Sequence, residues 1–363
     1  MNIFLDDSPT KTGHSIRGIG VYTRNLKTYL QAEFTNSESL VGWKLVDQPE
    51  QADLIHIPYF DLFKSTLPNS LALSPKLRST FTKKSSQKYV VTIHDVIPLL
   101  FPDHYPVGVR GKIALKLQKQ KLQAVDHVIT DSETSKNDIQ NYLSYPSENI
   151  SIVPLAAGLD HPFVSKEAME KVIKKYQLPN QYVLYVGDIN YNKNLPTLIT
   201  ALRELPKEIS LVLVGKNTKP QDIPEWRAIE EAIDANDLKD RVLRVTDIKE
   251  NAGETLAAIY QAATVYVQPS LYEGFGLPVL EAMQYRTPVV AADTSSLKEI
   301  TKNYGVLVTP SSQGIADGVR SVLNTPKVQL DVQIQRASQW AGSFTWQKTA
   351  QKTIAVYKKI LIK

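Results

Sequence analysis

Short apolar runs recur along the chain, and each is followed by a segment whose apolar residues return at helical intervals. In the first half, residues 2–5, 53–57, 89–93, 127–130 and 150–155 read as strands. In the second half, 182–186, 211–215, 242–245, 264–267 and 288–291 do the same. Strands alternating with helices in this way build parallel sheets from βαβ units, an α/β class. A last helical pattern covers 344–361. The chain has 363 residues, too many for one ordinary core, which predicts two domains. Pro162, Pro179 and a charged helical segment put the linker near 160–180, so the expected division is 1–163, 164–343 and a tail, 344–363.

The most informative stretch is 264–290. A buried strand leads into a Gly-containing turn, and Pro278 opens a helix, the position where Pro is favoured. Gly274 and Gly276 stand at the helix mouth, where backbone N–H groups and the positive end of the helix dipole suit a phosphate. Glu273 precedes that mouth and Glu281 lies about one turn inside the helix. Ionised carboxylates only accept hydrogen bonds, so beside a phosphate they call for hydroxyl donors. A phosphate flanked by diols describes a nucleotide-sugar. The alternative is a buried loop whose glycines permit tight packing and whose acids cap the helix.

A second strand–Gly turn–helix occurs at 182–194, with Lys193 in the turn. Near the start, Gly18 and Gly20 imitate half of a dinucleotide fingerprint, but Thr23 stands where the third Gly belongs. An NAD-dependent oxidoreductase therefore remains a rival, as does a non-catalytic nucleotide-sugar binding module. His94 and Asp95 sit at the carboxyl end of the 89–93 strand, the end that faces ligand in doubly wound sheets. An unaided pair of this kind reads first as a core His satisfied by its neighbour.

Composition narrows the field. The apolar fraction is 42% and the charged fraction 22%, as in a globular protein, and no run is long enough to span a membrane. The absence of Cys excludes disulfides and thiolate metal sites. There is no D-x-D triplet and no His/Asp/Glu cluster with metal spacing, so neither metal nor cofactor is expected. The opening MNIFLDD is too short for a signal-peptide core, which reads as cytoplasmic. The net charge of +5 is concentrated: between 64 and 121 eleven basic residues face only Asp95 and Asp103. No nucleic-acid motif accompanies them. Within this region 101–123 begins as a Pro-rich loop and becomes a basic amphipathic helix. It reads either as an interfacial helix on an anionic membrane surface, which would place the chain at the inner membrane face, or as a helix with one face on the sheet and its lysines in water.

The pattern Glu273-x7-Glu281 within PSLYEGFGLPVLEAM, with Pro269, Ser270, Pro278, Ala282 and Met283 in register, resembles the signature of glycosyltransferase family 4. The run Thr92-Ile93-His94-Asp95-Val96-Ile97-Pro98-Leu99 is similar to a segment of its bacterial mannosyltransferase-like members. The resemblance implies the GT-B fold, two Rossmann-like doubly wound domains facing across a cleft, with the terminal helix crossing back to the first. It implies a retaining, metal-independent transfer of a hexose, mannose favoured, from a nucleotide-sugar to a hydroxyl of a glycan or lipid-linked acceptor. GDP-mannose is the expected donor, with UDP-sugars next. By the same resemblance Glu273 holds sugar hydroxyls and Glu281 the ribose. Lys193 and the backbone of Gly274, Phe275, Gly276 and Leu277 hold the leaving diphosphate, and Ile248 touches the base. His94 lies beside the transferred sugar with Asp95 next to it, and the Gly18/Gly20 loop faces the donor. Asp188 stands where many members have Arg, leaving one fewer fixed cation.

Overall fold

The computed structural model describes residues 1–11, 18–72, 87–158, 163–215, 218–246, 248 and 253–362. Pro162, Asp247 and the basic residues Lys76, Arg78, Lys83 and Lys84 lie outside them. The chain divides into two units, Met1–Ala156 with Phe344–Lys363, and Ala157–Ser343.

The first unit is a parallel sheet of β1 (Asn2–Leu5), β2 (Lys44–Leu45), β3 (Leu54–Ile57), β4 (Lys88–Thr92), β5 (His127–Thr130) and β6 (Ile150–Ile152). Their order is β2-β1-β3-β4-β5-β6. β3 and β5 are buried at every position, so they show no in–out alternation, and their polar members His56, His127 and Thr130 are buried too. Helix α1 (Gly18–Asn36) buries Tyr22, Leu26, Leu30 and Phe34, one residue per turn, and packs against the helix Trp346–Leu361. The latter returns Trp346, Ala350, Ile354 and Tyr357 to the same core. The sequence places Gly18 and Gly20 in a loop before a helix that begins near Val21. The structure instead puts both in the first turn of α1, because the helical apolar spacing already starts at Ile19. Only the two-residue strand β2, too short to show a pattern, has no counterpart in the sequence reading of this sheet.

The second unit holds β7 (Tyr182–Val186), β8 (Ser210–Val214), β9 (Val242–Val245), β10 (Val265–Gln268), β11 (Val289–Ala292) and β12 (Val306–Val308). All are parallel, in the order β12-β11-β10-β7-β8-β9. Counted from β7, this is the strand order of dinucleotide-binding folds. It reverses direction between β7 and β10, and ligands of open α/β sheets bind outside the strand ends at such a switch point. Val183, Leu211, Leu213, Val265 and Val267 fill the sheet interior against Leu198, Ile199 and Val319. Gly215 ends β8 so close to its neighbour that an added Cβ would lie 2.2 Å from the Gly187 carbonyl oxygen, so the strand ends meet only through glycine. Among the described residues, no helix is long and apolar enough to cross a membrane.

Candidate active site

β7 and β10 are hydrogen-bonded neighbours, with Tyr266 opposite Leu184. The loops leaving their carboxyl ends therefore meet at the switch point. After β7 the chain makes a single 3-10 turn, Tyr191–Lys193, and Asn194 follows with φ 56°, a left-handed conformation that Asn tolerates. The Asn194 amide donates to the carbonyls of Pro269 (3.1 Å) and Pro310 (3.2 Å). Asn192 donates to the Tyr272 carbonyl at 2.9 Å and accepts from the Leu271 N–H at 2.8 Å. The two loops are thus held together by backbone pairing through asparagines.

That stitching brings Lys193 onto Glu273, with Nζ 2.7 Å from Oε1 and 2.9 Å from Oε2. Oε1 also accepts from Ser270 Oγ (2.7 Å) and Gln268 Nε2 (3.0 Å). Among the described residues, three donors converge on Oε1 and one on Oε2, so the remaining acceptor capacity of this mostly buried carboxylate is on Oε2. The loop after β11 clamps the same turn from the other side. Thr294 Oγ1 donates to the Ser270 carbonyl, and Ser296 Oγ donates to the carbonyls of Glu273 and Phe275, each at 2.9 Å. Ser295, at φ 40°, accepts from the Glu273 N–H at 2.8 Å.

Gly276 caps the helix Leu277–Gln284 with φ +111°, and a Cβ there would sit 3.1 Å from Leu297. Both the conformation and the space demand glycine. Pro278 lies in the first turn as the sequence indicates. Gly274 is buried and Leu277 half-buried. Phe275 is only 5% exposed, so its ring belongs to the core and only its backbone can serve a ligand. Glu281 is buried on the far side of that first turn, where its Oε2 accepts from Tyr260 Oη at 2.9 Å. Burial pushes its carboxyl up to about 7, against the opposing pull of Tyr260 and the Gly158 amide. Tyr260 stacks on Tyr285 (6.0 Å between centroids) and lies 5.8 Å from Tyr266, whose hydroxyl donates to Gln268. The Tyr266 pKa is raised well above its ordinary value, first by burial and then by Tyr185, Glu273 and Glu281, so this one ring feels both acids of the signature. This tyrosine floor escaped the sequence reading. Its signal was a chain with 17 Tyr against 9 Phe, since a buried Tyr chosen over Phe needs a partner for its hydroxyl. Ile248 is half-buried just beyond β9, and Asp188 is half-buried, its carbonyl accepting from Tyr185 Oη at 2.9 Å.

In the first unit, His94 follows β4 and Asp131 follows the adjacent strand β5. His94 Nδ1 and Asp131 Oδ2 are 2.7 Å apart. The neighbour Asp95 is not the hydrogen-bond partner that the simplest reading gives His94. Its Oδ1 accepts from the Ile97 N–H at 3.0 Å, holding the turn into the next helix. Burial alone would lower the His94 pKa, but the charge and hydrogen bond of Asp131, with the charge of Asp95, outweigh it and raise the value. Tyr22 meets the His94 ring edge-on at 4.8 Å and is tied through Thr92 to His56, and through His56 to Tyr357. His56 is driven down to about 3 by burial and so stays neutral. Among the described residues, His94 Nε2 is buried without a well-formed hydrogen bond, although the Pro58 backbone lies near enough to help raise the pKa. The ring lines a cavity of about 250 Å³ together with Ile19, Tyr59, Asp61, Phe63, Asp95 and Pro98. Ile19 lies between Gly18, which is exposed, and Gly20, which is buried. Asp131 is the residue missed here. Its position immediately after a strand, matching that of His94, was the available clue.

Residues 166–340 match the family described as glycosyl transferases group 1. Over 278 residues the chain is 29% identical to the O-antigen chain mannosyltransferase B of Escherichia coli, covering 75% of this chain and 70% of that protein. It is 26% identical over 281 residues to the serotype-specific mannosyltransferase WbdA of Escherichia coli, of which it spans 34%. Among solved structures, sucrose-phosphate synthase from Thermosynechococcus elongatus superposes with a TM-score of 0.73 at 21% identity, over 99% of both chains, a likeness of fold. Residues 166–340 thus carry the match to the group 1 glycosyl transferases, and the chain has the GT-B fold of a glycosyltransferase.

Proposed function

We propose that the enzyme moves a mannosyl residue from GDP-mannose to a hydroxyl of a growing glycan or lipid-linked sugar, with retention at the anomeric carbon. The observation that carries this reading is the Lys193–Glu273 pair, set at the β7/β10 switch point beside the mouth of the helix that bears Glu281. A nucleotide-sugar has anionic phosphate between two diols. Lys193 and the helix start supply positive potential for the phosphate, and electrostatic stabilisation of a departing diphosphate is a large catalytic term. Glu273 offers Oε2 to a sugar hydroxyl beside that phosphate, and ionised Glu281 accepts from the ribose diol. Because Lys193 and Glu273 touch, both act at the sugar–phosphate junction. Ile248, beyond β9, is assigned to the base. Mannose is favoured by the mannosyltransferase relatives, and O-antigen synthesis by one of them suggests the acceptor class. No covalent nucleophile is assigned to any side chain.

In the first unit, the cavity at His94 offers Tyr59 and Phe63 as apolar walls for a sugar ring and Asp61 and Asp95 as carboxylates for its hydroxyls. Gly18 and Gly20 shape its rim through the start of α1. Metal independence is part of the proposal and rests on the missing D-x-D triplet together with Lys193 as the cation; activity unchanged by EDTA is the expected result. A peripheral place at the inner membrane face is proposed on the helix Val109–Leu122, where Arg110, Lys112 and Lys116 are exposed beside the exposed apolar Val109, Ile113 and Leu117.

A thermal-shift panel of GDP, GDP-mannose, UDP and UDP-glucose tests the donor. Ligand at a hundred times its Kd stabilises by about 2.7 kcal/mol, enough to be read directly. GDP-mannose should raise the melting temperature most. Stabilisation by uridine nucleotides alone would replace the donor, and no shift with any of them would remove the donor reading. Release of GDP only with acceptor present separates a transferase from a silent binding module.

A further inference from the structure

The helix Val109–Leu122 turns two long polar side chains inward: Gln118 is 1% exposed and Lys121 5%. Leu115 and Leu122 of the same helix pack on the core of the first unit. The two polar residues instead reach the loop that follows Pro58. Lys121 Nζ donates to Ser65 Oγ (2.9 Å), the Leu67 carbonyl (3.0 Å) and Asn69 Oδ1 (2.8 Å). Gln118 Nε2 donates to the Asp61 carbonyl and to Thr66 Oγ1 at 3.0 and 2.8 Å. Thr66 Oγ1 also accepts from the Asp61 N–H at 3.3 Å. None of these accepting groups is charged, and burial lowers the Lys121 pKa. Among the described residues, Gln118 Oε1 is buried without a well-formed hydrogen bond. A buried cation with no carboxylate partner and an amide satisfied on one side cost stability that Met and Leu of similar size would not. Stability therefore does not explain the pair. The position of what they hold does.

They hold one wall of the cavity beside His94, which Tyr59, Asp61 and Phe63 of this loop line. Asp61 organises the turn. Its Oδ1 accepts from the N–H groups of Phe63 (2.8 Å) and Lys64 (3.1 Å), and its Oδ2 accepts from Tyr59 Oη at 3.0 Å. The turn thus fills Oδ1, whereas Oδ2, with one partner among the described residues, keeps room for a ligand hydroxyl. We propose that Gln118 and Lys121 are positioning residues for acceptor recognition: through the loop they fix Asp61 Oδ2 and the Tyr59 and Phe63 rings where an uncharged sugar binds. Both are buried behind the loop and act only through it. A carboxylate oxygen with spare capacity beside two aromatic rings suits a neutral sugar, which packs a C–H face on a ring while a hydroxyl donates. The inference rests on the reading of this cavity as the acceptor site and deepens it by naming what sets its shape.

The test is a titration of the full chain with methyl α-mannoside and methyl α-glucoside, followed by NMR at the His94 imidazole C–H. It uses no donor and no turnover. Saturable binding of at least one glycoside by the parent is expected. Gln118→Leu and Lys121→Met should each raise the dissociation constant roughly fivefold or more, the worth of about one hydrogen bond to Asp61 Oδ2. Both variants should melt within a few degrees of the parent and keep its GDP-induced shift, a split that general loss of structure does not produce. Thr66→Val removes the hydroxyl that Gln118 reaches while keeping its shape. It should weaken the sugar in the same direction, and less than additively when combined with Gln118→Leu. Binding by the parent that all three variants leave unchanged would overturn this inference alone. Loss of the glycoside together with the GDP-induced shift would reduce the pair to a structural role and also overturn it. No response in the parent to either glycoside would remove the acceptor reading of the cavity, and the inference with it.

Discussion

Glu281 gives the sharpest quantitative expectation. Its carboxyl is lifted from 4.5 to about 7, mainly by burial. Between those values the folded chain keeps a proton that the unfolded chain has released, so stability falls as pH rises through the window. Below 4.5 the group contributes nothing, and above about 7 the full cost is present. That cost is about 3 kcal/mol at pH 8. Glu281→Gln keeps the shape and the acceptor for Tyr260 but cannot ionise. Urea unfolding of both proteins at pH 5 and pH 8 isolates the effect, because every other titrating group cancels in the comparison. The advantage of the Gln variant over the parent should grow between the two pH values by about 2–3 kcal/mol, set by the Glu281 titration alone, since any fixed cost of the new NH2 group facing the Gly158 amide is the same at both. In the proposed ribose role, Glu281 needs the same ionisation to accept two hydroxyls. GDP binding measured by calorimetry in two buffers at pH 6 should therefore release about one proton, and affinity should rise up to about pH 7 and then level. An advantage that is equal at both pH values, with no proton released on binding, would refute the reasoning.

Three further outcomes follow from the same geometry. Lys193→Met leaves Glu273 mostly buried without its cation and should cost about 1–3 kcal/mol, less than the ~3–5 kcal/mol of a fully buried pair because both groups keep some solvent; Lys193→Met with Glu273→Gln should recover much of that stability but no turnover, and turnover in the double variant would count against both roles. Gly276→Ala forces a Cβ onto a left-handed backbone 3.1 Å from Leu297 and should cost about 1–3 kcal/mol with loss of nucleotide binding, read by thermal unfolding with and without GDP. Asp131→Asn removes the charge that holds the His94 pKa up, so burial should then dominate and the His94 titration, followed by NMR of the imidazole C–H, should move to lower pH; an unchanged titration would contradict the pairing.

The sheets and the principal helix were legible because their signals are local. Val265–Val267 is an unbroken apolar run, Pro278 marks a first turn, and Gly276 announces a conformation that only glycine adopts cheaply. Partnerships between residues distant in sequence were not legible. His94 pairs with Asp131, 37 residues away, rather than with adjacent Asp95, because parallel strands place successive strand ends side by side. The Thr294–Ser296 clamp on the Glu273 loop is invisible for the same reason. The basic helix was legible in part. Leu115 and Leu122 sit on the core and Lys112 and Lys116 in solvent, as its spacing suggests, but the burial of Gln118 and Lys121, held by hydrogen bonds to the 61–69 loop, is not something hydropathy shows.

The most direct measurement is a crystal structure of the protein soaked with GDP-mannose. Diphosphate oxygens are expected within hydrogen-bonding distance of Lys193 Nζ and the backbone of residues 274–277, with a sugar hydroxyl on Glu273 Oε2 and the ribose diol on Glu281. Nucleotide lodged away from the β7/β10 switch point, with Lys193 and Glu281 untouched, would contradict this placement.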